Sequence, residues 1–298
     1  MRRGTSSIAS ALIALSISGC GGTSNGSDPV DDAADGDGGG GDAPQAPDGP
    51  PEPGWNAPFA LDPAALGLTE SVTWDFANTQ ISGPDPIHVA GMFENASNAT
   101  APVSGPGVGR ALFTGETNDG ATWSISSPSK RIYFRDMFAL SDPYAASDGR
   151  EAYFAPRLSV VGGGTLGQST VDFAKAMVPT TEAEALAVPL RMSVGVLTPN
   201  GPTYLQTTGP ELTRGAWHQL EAYFAVNAPG ASDGVARVWL DGVLVVERTD
   251  IAWDKGVANG SEIEWSGIHW YDLRQPSYLA AGQHRDHDHL QVFWSTTR

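Results

Sequence analysis

Arg131, Tyr133 and Arg135 recur at every second position, and so do Trp217, Gln219, Glu221 and Tyr223. Side chains alternate between the two faces of an extended strand, so each set occupies one side of its strand. Ile132, Phe134 and Phe138 fall on the opposite side of the first strand. Leu220, Ala222, Phe224 and Val226 do so in the second, as a core between two sheets requires. Should the two strands be neighbours, two guanidiniums and a phenol would meet an amide, a carboxylate and two aromatic rings. Such a set suits a sugar groove: rings stack on apolar sugar faces, polar groups bond hydroxyls, and arginine grips a uronate carboxylate with two parallel hydrogen bonds. The reaction it admits is β-elimination. A proton next to the carboxylate is removed, Arg131, Arg135 and Gln219 neutralise the developing charge, and Tyr133, Tyr223 or His269 serves as base and acid. Trp217, Glu221 and Tyr271 would hold the substrate. His269 and Tyr271 share a face of another strand, within Gly267-Ile268-His269-Trp270-Tyr271, and offer a second base and acid pair. The same residues also fit a groove that binds a glycan without cutting it, or a solvated face whose arginines pair with the many acids.

The run His284-Arg285-Asp286-His287-Asp288-His289 is dense in groups that bind metals. On an unbroken strand His287 and His289 would share one side and Asp286 and Asp288 the other, so all four converge only if the backbone bends. Zinc at the histidines, calcium at the aspartates and a purely polar approach to the last strand are all open, and no cofactor is demanded by the rest of the chain. Gly162-Gly163-Gly164-Thr165-Leu166-Gly167 matches a dinucleotide loop in spacing, but no helix pattern follows it. Ser127-Pro128-Ser129-Lys130 matches a nucleophile dyad that belongs at a helix start, whereas here a strand follows.

Behind these residues lies a pattern of period two in short runs separated by Gly, Pro, Asn and Asp. It predicts strands over Ser71–Phe76, Arg110–Phe113, Thr122–Ser126, Arg131–Ala139, Ala152–Val161, Leu190–Leu197, Trp217–Val226, Ala236–Leu240, Val243–Arg248, Ile263–Tyr271 and Leu290–Ser295. Asp241-Gly242 between two alternating runs predicts a tight hairpin turn. Thr181 to Ala187 is the best helix, confined by Pro179 and Pro189 to about two turns. The expected fold class is therefore all-β, an antiparallel sandwich of two sheets over residues 55 to 298. Nothing repeats at a fixed period, which argues against a propeller or solenoid.

The Trp217-His218 strand, followed by the Trp239-Leu240-Asp241-Gly242 hairpin and the terminal Asp288-His289-Leu290-Gln291-Val292, resembles concanavalin A-like jelly rolls. That group includes laminin G-like domains, which bind proteins or glycans, and jelly-roll polysaccharide lyases, which cut glycans. The resemblance covers roughly residues 70 to 296 and implies an extracellular polysaccharide as partner. Jelly-roll alginate lyases carry Gln-Ile-His where this chain reads Gln219-Leu220-Glu221. A carboxylate there would repel the substrate's own. The paired-carboxylate pattern of related glucanases is absent.

Cys20 is the only cysteine and ends Leu15-Ser16-Ile17-Ser18-Gly19-Cys20, behind Arg2, Arg3 and the apolar Ile8 to Ile17. This arrangement resembles a bacterial lipoprotein signal, which implies removal of residues 1–19 and a diacylglycerol on Cys20. The apolar segment is too short to span a bilayer, which takes about 20 residues. Gly21 stands where an Asp marks inner-membrane retention in Gram-negative lipoproteins, so the resemblance implies an exported protein anchored at the outer membrane. Residues 21 to 54 contain one large aliphatic residue, Val30, and no aromatic, and so read as a disordered acidic tether after Cys20. Such a coil spans roughly 30 to 35 Å. Eight of the 34 acidic residues fall in it, and once Arg2 and Arg3 are cleaved away 26 acids face 15 Lys and Arg in the domain. That balance disfavours nucleic acid or an anionic membrane surface as a partner and requires a local basic patch for any polyanion.

Overall fold

Four tryptophans among the described residues, Trp74, Trp253, Trp265 and Trp294, pack where two antiparallel sheets meet. Trp253 and Trp265 cross edge to face at 5.2 Å, Phe224 lies 5.8 Å from Trp265, and Trp74 is fully buried in the same core. The computed structural model describes residues 58–74, 76, 94–103, 105, 107–112, 119–144, 151–160, 165–175, 182–187, 189–198, 201–206, 210–254, 257, 262–272 and 282–295. They belong to one compact unit, Gly49–Arg298. The expected signal, the lipidated Cys20 and the tether lie outside the described residues.

The first sheet contains eight strands: β1 (Glu70–Trp74), β2 (Glu94–Ser97), β3 (Gly107–Leu112), β5 (Arg131–Leu140), β10 (Trp217–Ala225), β11 (Gly234–Leu240), β12 (Val243–Ile251) and β14 (His284–Trp294). They run in the order β12-β11-β10-β5-β14-β3-β2, with β1 also paired to β14. The second sheet has the order β4-β13-β6-β7-β8-β9 and comprises β4 (Asp119–Ser129), β6 (Glu151–Val160), β7 (Thr165–Lys175), β8 (Leu190–Thr198), β9 (Gly201–Gln206) and β13 (Ile263–Asp272). Every pairing is antiparallel. The short helix α1 (Glu182–Ala187) sits between β7 and β8, where two prolines confine it.

The pleat sorts the side chains as the sequence pattern demands. Ile132, Phe134, Phe138 and Leu140 of β5, Leu220, Ala222 and Phe224 of β10, and Leu290, Val292 and Trp294 of β14 all enter the inter-sheet core. Burying a side chain of this size contributes about 1.5–3 kcal/mol, so these rows fix which face of each strand is inside. The expected hairpin is present. Asp241 and Gly242 both take positive φ, 51° and 76°, and the Asp241 carboxylate accepts from the Gln219 amide at 2.8 Å and meets His218 Nδ1 at 2.8 Å.

Three strands escape the sequence pattern: β2, β7 and β9. The last strand begins at His284, six residues earlier than expected. Its polar start pairs with β3 and with β5, and a bulge after His287 gives His289 a φ of 77°. A strand whose polar residues are buried by specific partners has no alternating signature to read.

Candidate functional site

β5 and β10 are adjacent, and their register sets Tyr133 opposite Tyr223, Arg135 opposite Glu221, and Arg131 opposite Ala225. Arg131, Tyr133, Arg135, Trp217, Gln219, Glu221 and Tyr223 therefore hold one face of the eight-stranded sheet, the face turned away from the core. Sequence spacing had brought these residues together, and the structure does so too. It does not leave them open.

Residues 58 to 68 cross this face as a strap. Phe59, Leu61, Leu66 and Leu68 pack on Tyr133, Tyr223, Trp239 and Phe293 to form a second hydrophobic cluster. The strap is locally set by Pro63 and by Asp62, whose carboxylate accepts from the Ala64 amide at 2.9 Å, and it turns at Gly67, with φ 71°. Beneath it Tyr133, Arg135, Gln219 and Glu221 are each at most 3 % exposed. Glu221 is the hub of this group. Its carboxylate accepts from the Tyr133 hydroxyl, from Gln219 Nε2 at 2.6 Å and from the Ala60 amide of the strap at 3.0 Å. Arg135 donates to Gln219 Oε1 at 3.1 Å, lies 4.0 Å from Glu221, and carries the Phe59 ring 4.8 Å from its guanidinium. Arg131 stays exposed at the rim, its guanidinium donating to the Leu66 carbonyl at 2.8 Å.

The electrostatics follow from this closure. Burial, and then the neighbouring Glu221 charge, pushes the Tyr133 phenol far above its ordinary range. Burial raises Tyr223 as well and lowers Arg135. Tyr133 thus holds its proton more firmly than a solvated phenol does. The Arg135 charge is already answered by an internal carboxylate, which occupies the place a uronate would need. This face is a sealed layer that holds the strap down. The expected shared hollow is filled by the protein's own chain. The physical reason is that Glu221 and the four apolar strap residues complete each other, a relation between segments some 150 residues apart.

Trp217 lies at the other end of the face, half-buried, with Nε1 donating to Thr100 Oγ1 at 3.0 Å. Nearby, Asn98, Thr100, Ser141, Asp142, His284 and Asp286 line an open pocket of about 220 Å³. The metal candidates separate here. Asp286 takes both arms of Arg110 at 2.6 and 2.8 Å and an Asn98 amide at 2.9 Å. His287 goes to the core side, between Asp136 at 2.9 Å and Arg285 at 3.1 Å. Asp288 accepts from the Val103 amide at 2.6 Å. The bulge that gives His289 its positive φ breaks the expected pairing of His287 with His289 and of Asp286 with Asp288. Among the described residues no three His, Cys, Asp or Glu side chains are grouped to hold a metal ion.

His269 and Tyr271 belong to β13, in the six-stranded sheet, and so are not brought to the Arg135 face. Their own surroundings are informative through the backbone register. Ile268 packs in the inter-sheet core, so Gly267, His269 and Tyr271 hold positions of that sheet's outer face. Gly267 is opposite Arg157, Arg157 is opposite Gln168, and His269 is opposite Ala155. On β8 Leu190 is in the core and opposite Lys175. Gln168, Thr170, Asp172 and Ala174 of β7, with Arg191, Ser193 and Gly195 of β8, therefore take the outer positions. Directly opposed residues in neighbouring strands lie about 5 Å apart and diagonal ones about 7–8 Å, so Arg157 and Gln168 are cross-strand neighbours and His269 is diagonal to Arg157 on the next strand. Sequence reading missed Arg157 and Gln168. The alternation of Ala152–Val161 carried the first, whereas a run of glycines masked the strand that carries the second.

No family model and no curated protein matches the chain. Among solved structures, an alginate lyase double mutant in complex with alginate tetrasaccharide is similar, with a TM-score of 0.50 and 12 % identity over 76 % of this chain and 97 % of that one. An endo-β-1,4-glucuronan lyase from the fungus Trichoderma reesei aligns with a TM-score of 0.46 and 11 % identity, covering 76 % of this chain and 96 % of that one. A marine alginate lyase from Aplysia kurodai aligns with 0.47 and 10 % identity, covering 76 % and 99 %. Identities this low speak to architecture alone. With the strand order above, the likeness to the alginate lyase complexed with tetrasaccharide makes the chain an antiparallel jelly-roll sandwich of two sheets.

Proposed function

We propose that this protein engages an extracellular polyuronate on the outer face of the six-stranded sheet and cleaves it by β-elimination, while a lipid on Cys20 holds it at the outer membrane. The observation that carries the reading is the register aligning Arg157 with Gln168, with His269 diagonal to Arg157 on β13 and Tyr271 two residues further along that strand. These residue types match the needs of the reaction. Arg157 and Gln168 would meet the substrate carboxylate and stabilise the charge that grows on it. His269 and Tyr271 would divide the proton work: one takes the proton from the carbon bearing the carboxylate, and the other gives a proton to the departing glycosidic oxygen. The electrons of the broken C–H bond become the new double bond as the C–O bond opens, so the step balances without metal or oxidant. The opposite sheet supports the reading by elimination, because its own arginine and glutamine are sealed under residues 58–68.

The test is ultraviolet absorbance of the unsaturated uronate while the purified domain meets several polyuronates. Growth that disappears in His269→Ala supports eliminative cleavage at this face. Flat traces combined with retention on immobilised polyuronate remove the chemistry and leave a binding module. Neither signal removes the polysaccharide from the account.

A further inference from the structure

We propose that the pocket at the end of β5 binds one neutral sugar residue through its hydroxyl hydrogens. It is built on the eight-stranded sheet, whereas the polyuronate reading uses the six-stranded one. The cavity, about 220 Å³, opens where Ala139 and Leu140 end β5, His284 and Asp286 begin β14, and Asn98 and Thr100 follow β2. What it offers a ligand follows from where its own hydrogens go. The Thr100 hydroxyl donates to Asn98 Oδ1 at 2.7 Å and accepts from Trp217 Nε1 at 3.0 Å. The Ser141 hydroxyl donates to the Pro143 carbonyl at 2.7 Å and accepts from the His284 amide at 3.1 Å. Each hydroxyl is left with a lone pair and no hydrogen to give. His284 Nδ1 meets the Gly282 carbonyl at 3.0 Å, so this nitrogen carries the hydrogen and the neutral ring presents a bare Nε2. That nitrogen and Asp286 Oδ2 stand 3.8 Å apart, two acceptors with no hydrogen of their own to share. A ligand hydroxyl supplies one.

Charge narrows the ligand further. Asp286 is answered by both arms of Arg110, at 2.6 and 2.8 Å, whereas the Asp142 carboxylate lines the pocket with no partner among the described residues. The pocket is therefore net negative and repels a uronate. Two neighbouring hydroxyls of a neutral sugar fit the two oxygens of one such carboxylate, each bond strengthened by its charge. The second hydrogen of Asn98 Nδ2, whose first goes to Asp286 at 2.9 Å, remains to meet a sugar oxygen. Trp217, half-buried and tied by Nε1 to Thr100, adds an aromatic ring at the rim. Because Asn98, Thr100, Ser141 and Asp286 are already held by the bonds above, little ordering remains to be done on binding. The volume lies below the roughly 300–1,000 Å³ of pockets for larger ligands, and so suits one ring and not a chain.

The experiment titrates the purified protein with methyl α-mannoside, methyl β-glucoside and methyl β-galactoside, and separately with glucuronate and glucosamine. The Trp217 indole N–H signal is followed by NMR and assigned with Trp217→Phe. At least one neutral glycoside is expected to shift it with a Kd on the order of 1 mM, as one ring in an open pocket allows, and glucuronate is expected to leave it in place. Asp142→Asn is expected to weaken that glycoside about tenfold, the loss of a charged hydrogen bond, with Tm unchanged because the carboxylate holds nothing else. His284→Ala is expected to weaken it as well, and His284→Gln, which restores an acceptor, to recover part of the loss. A Trp217 signal that no neutral glycoside moves overturns the proposal. So does a signal moved by glucosamine alone, which makes the pocket a cation site, or one moved equally by glucuronate. Equal affinity of wild type and Asp142→Asn also overturns it. None of these outcomes touches the polyuronate reading, which stands or falls on the other sheet.

Discussion

Removing the Glu221 carboxylate takes away the carboxylate 4.0 Å from the Arg135 guanidinium, buried at 3 % exposed, and also strips acceptors from Tyr133, Gln219 and the strap amide of Ala60. Breaking one side of a buried pair costs about 3–5 kcal/mol, against a total stability of about 5–15 kcal/mol for a domain. Glu221→Leu is thus expected to lose about 4 kcal/mol in urea unfolding, or about 8–16 °C in Tm for a domain of this size. Arg135→Met is expected to cost a similar amount, since it leaves Glu221 buried without its cation. The double variant replaces the pair by apolar groups of similar length under an already apolar strap, and is expected to return to within about 1 kcal/mol of wild type. The coupling in this cycle, several kcal/mol, is the signature of a sealed pair. Single variants that each cost under about 1 kcal/mol, and that add without coupling, are the behaviour of a solvated groove. That outcome would refute the closed-face argument.

Phe59→Ala removes the ring that covers Arg135 and packs on Tyr133 and Phe293, and is expected to lower stability by about 2 kcal/mol by the same unfolding assay without increasing any glycan affinity. Gly234 has no room for a methyl group, since an added Cβ would lie 2.3 Å from Trp253 Cδ1, so Gly234→Ala is expected to cost at least about 1–3 kcal/mol, read as a lowered Tm. Burial raises both Tyr133 and Tyr223, so the folded state keeps protons that the unfolded chain loses. Stability is expected to hold to about pH 10 and to fall above it, by about 1.4 kcal/mol per pH unit for each tyrosine. Tyr223→Phe should therefore flatten the alkaline limb by about one proton, and an unchanged slope would show Tyr223 to be solvated.

The two-sheet fold was legible because its core strands alternate without interruption. Ile132, Phe134 and Phe138, like Leu220, Ala222 and Phe224, announce an inner face, and Asp241-Gly242 announces the hairpin. The polar partners of those residues were equally legible as a set, and β5 and β10 do place them side by side. What the pattern could not convey is the third layer. Phe59, Leu61, Leu66 and Leu68 stand just after a tether-like stretch and have no periodicity of their own. Only the fold shows that they lie on Tyr133 and Tyr223. The metal-like run at His284 stayed ambiguous for a related reason. Its acids and histidines satisfy Arg110, Asp136 and the Val103 amide, partners remote in sequence, and a bulge that no residue type signals sends His287 inward. Arg157 was readable by alternation, but its importance depends on Gln168, and β7 has β-branched residues too sparse after its glycines to be recognised as a strand.

Affinity electrophoresis in a polyuronate gel, run with Arg157→Ala beside the Arg135→Met, Glu221→Leu double variant, tests the location of the glycan face most directly. Retardation abolished in Arg157→Ala and retained in the double variant is the predicted result. Retardation retained in Arg157→Ala and abolished in a folded double variant would contradict it, returning the sugar to the strap-covered sheet.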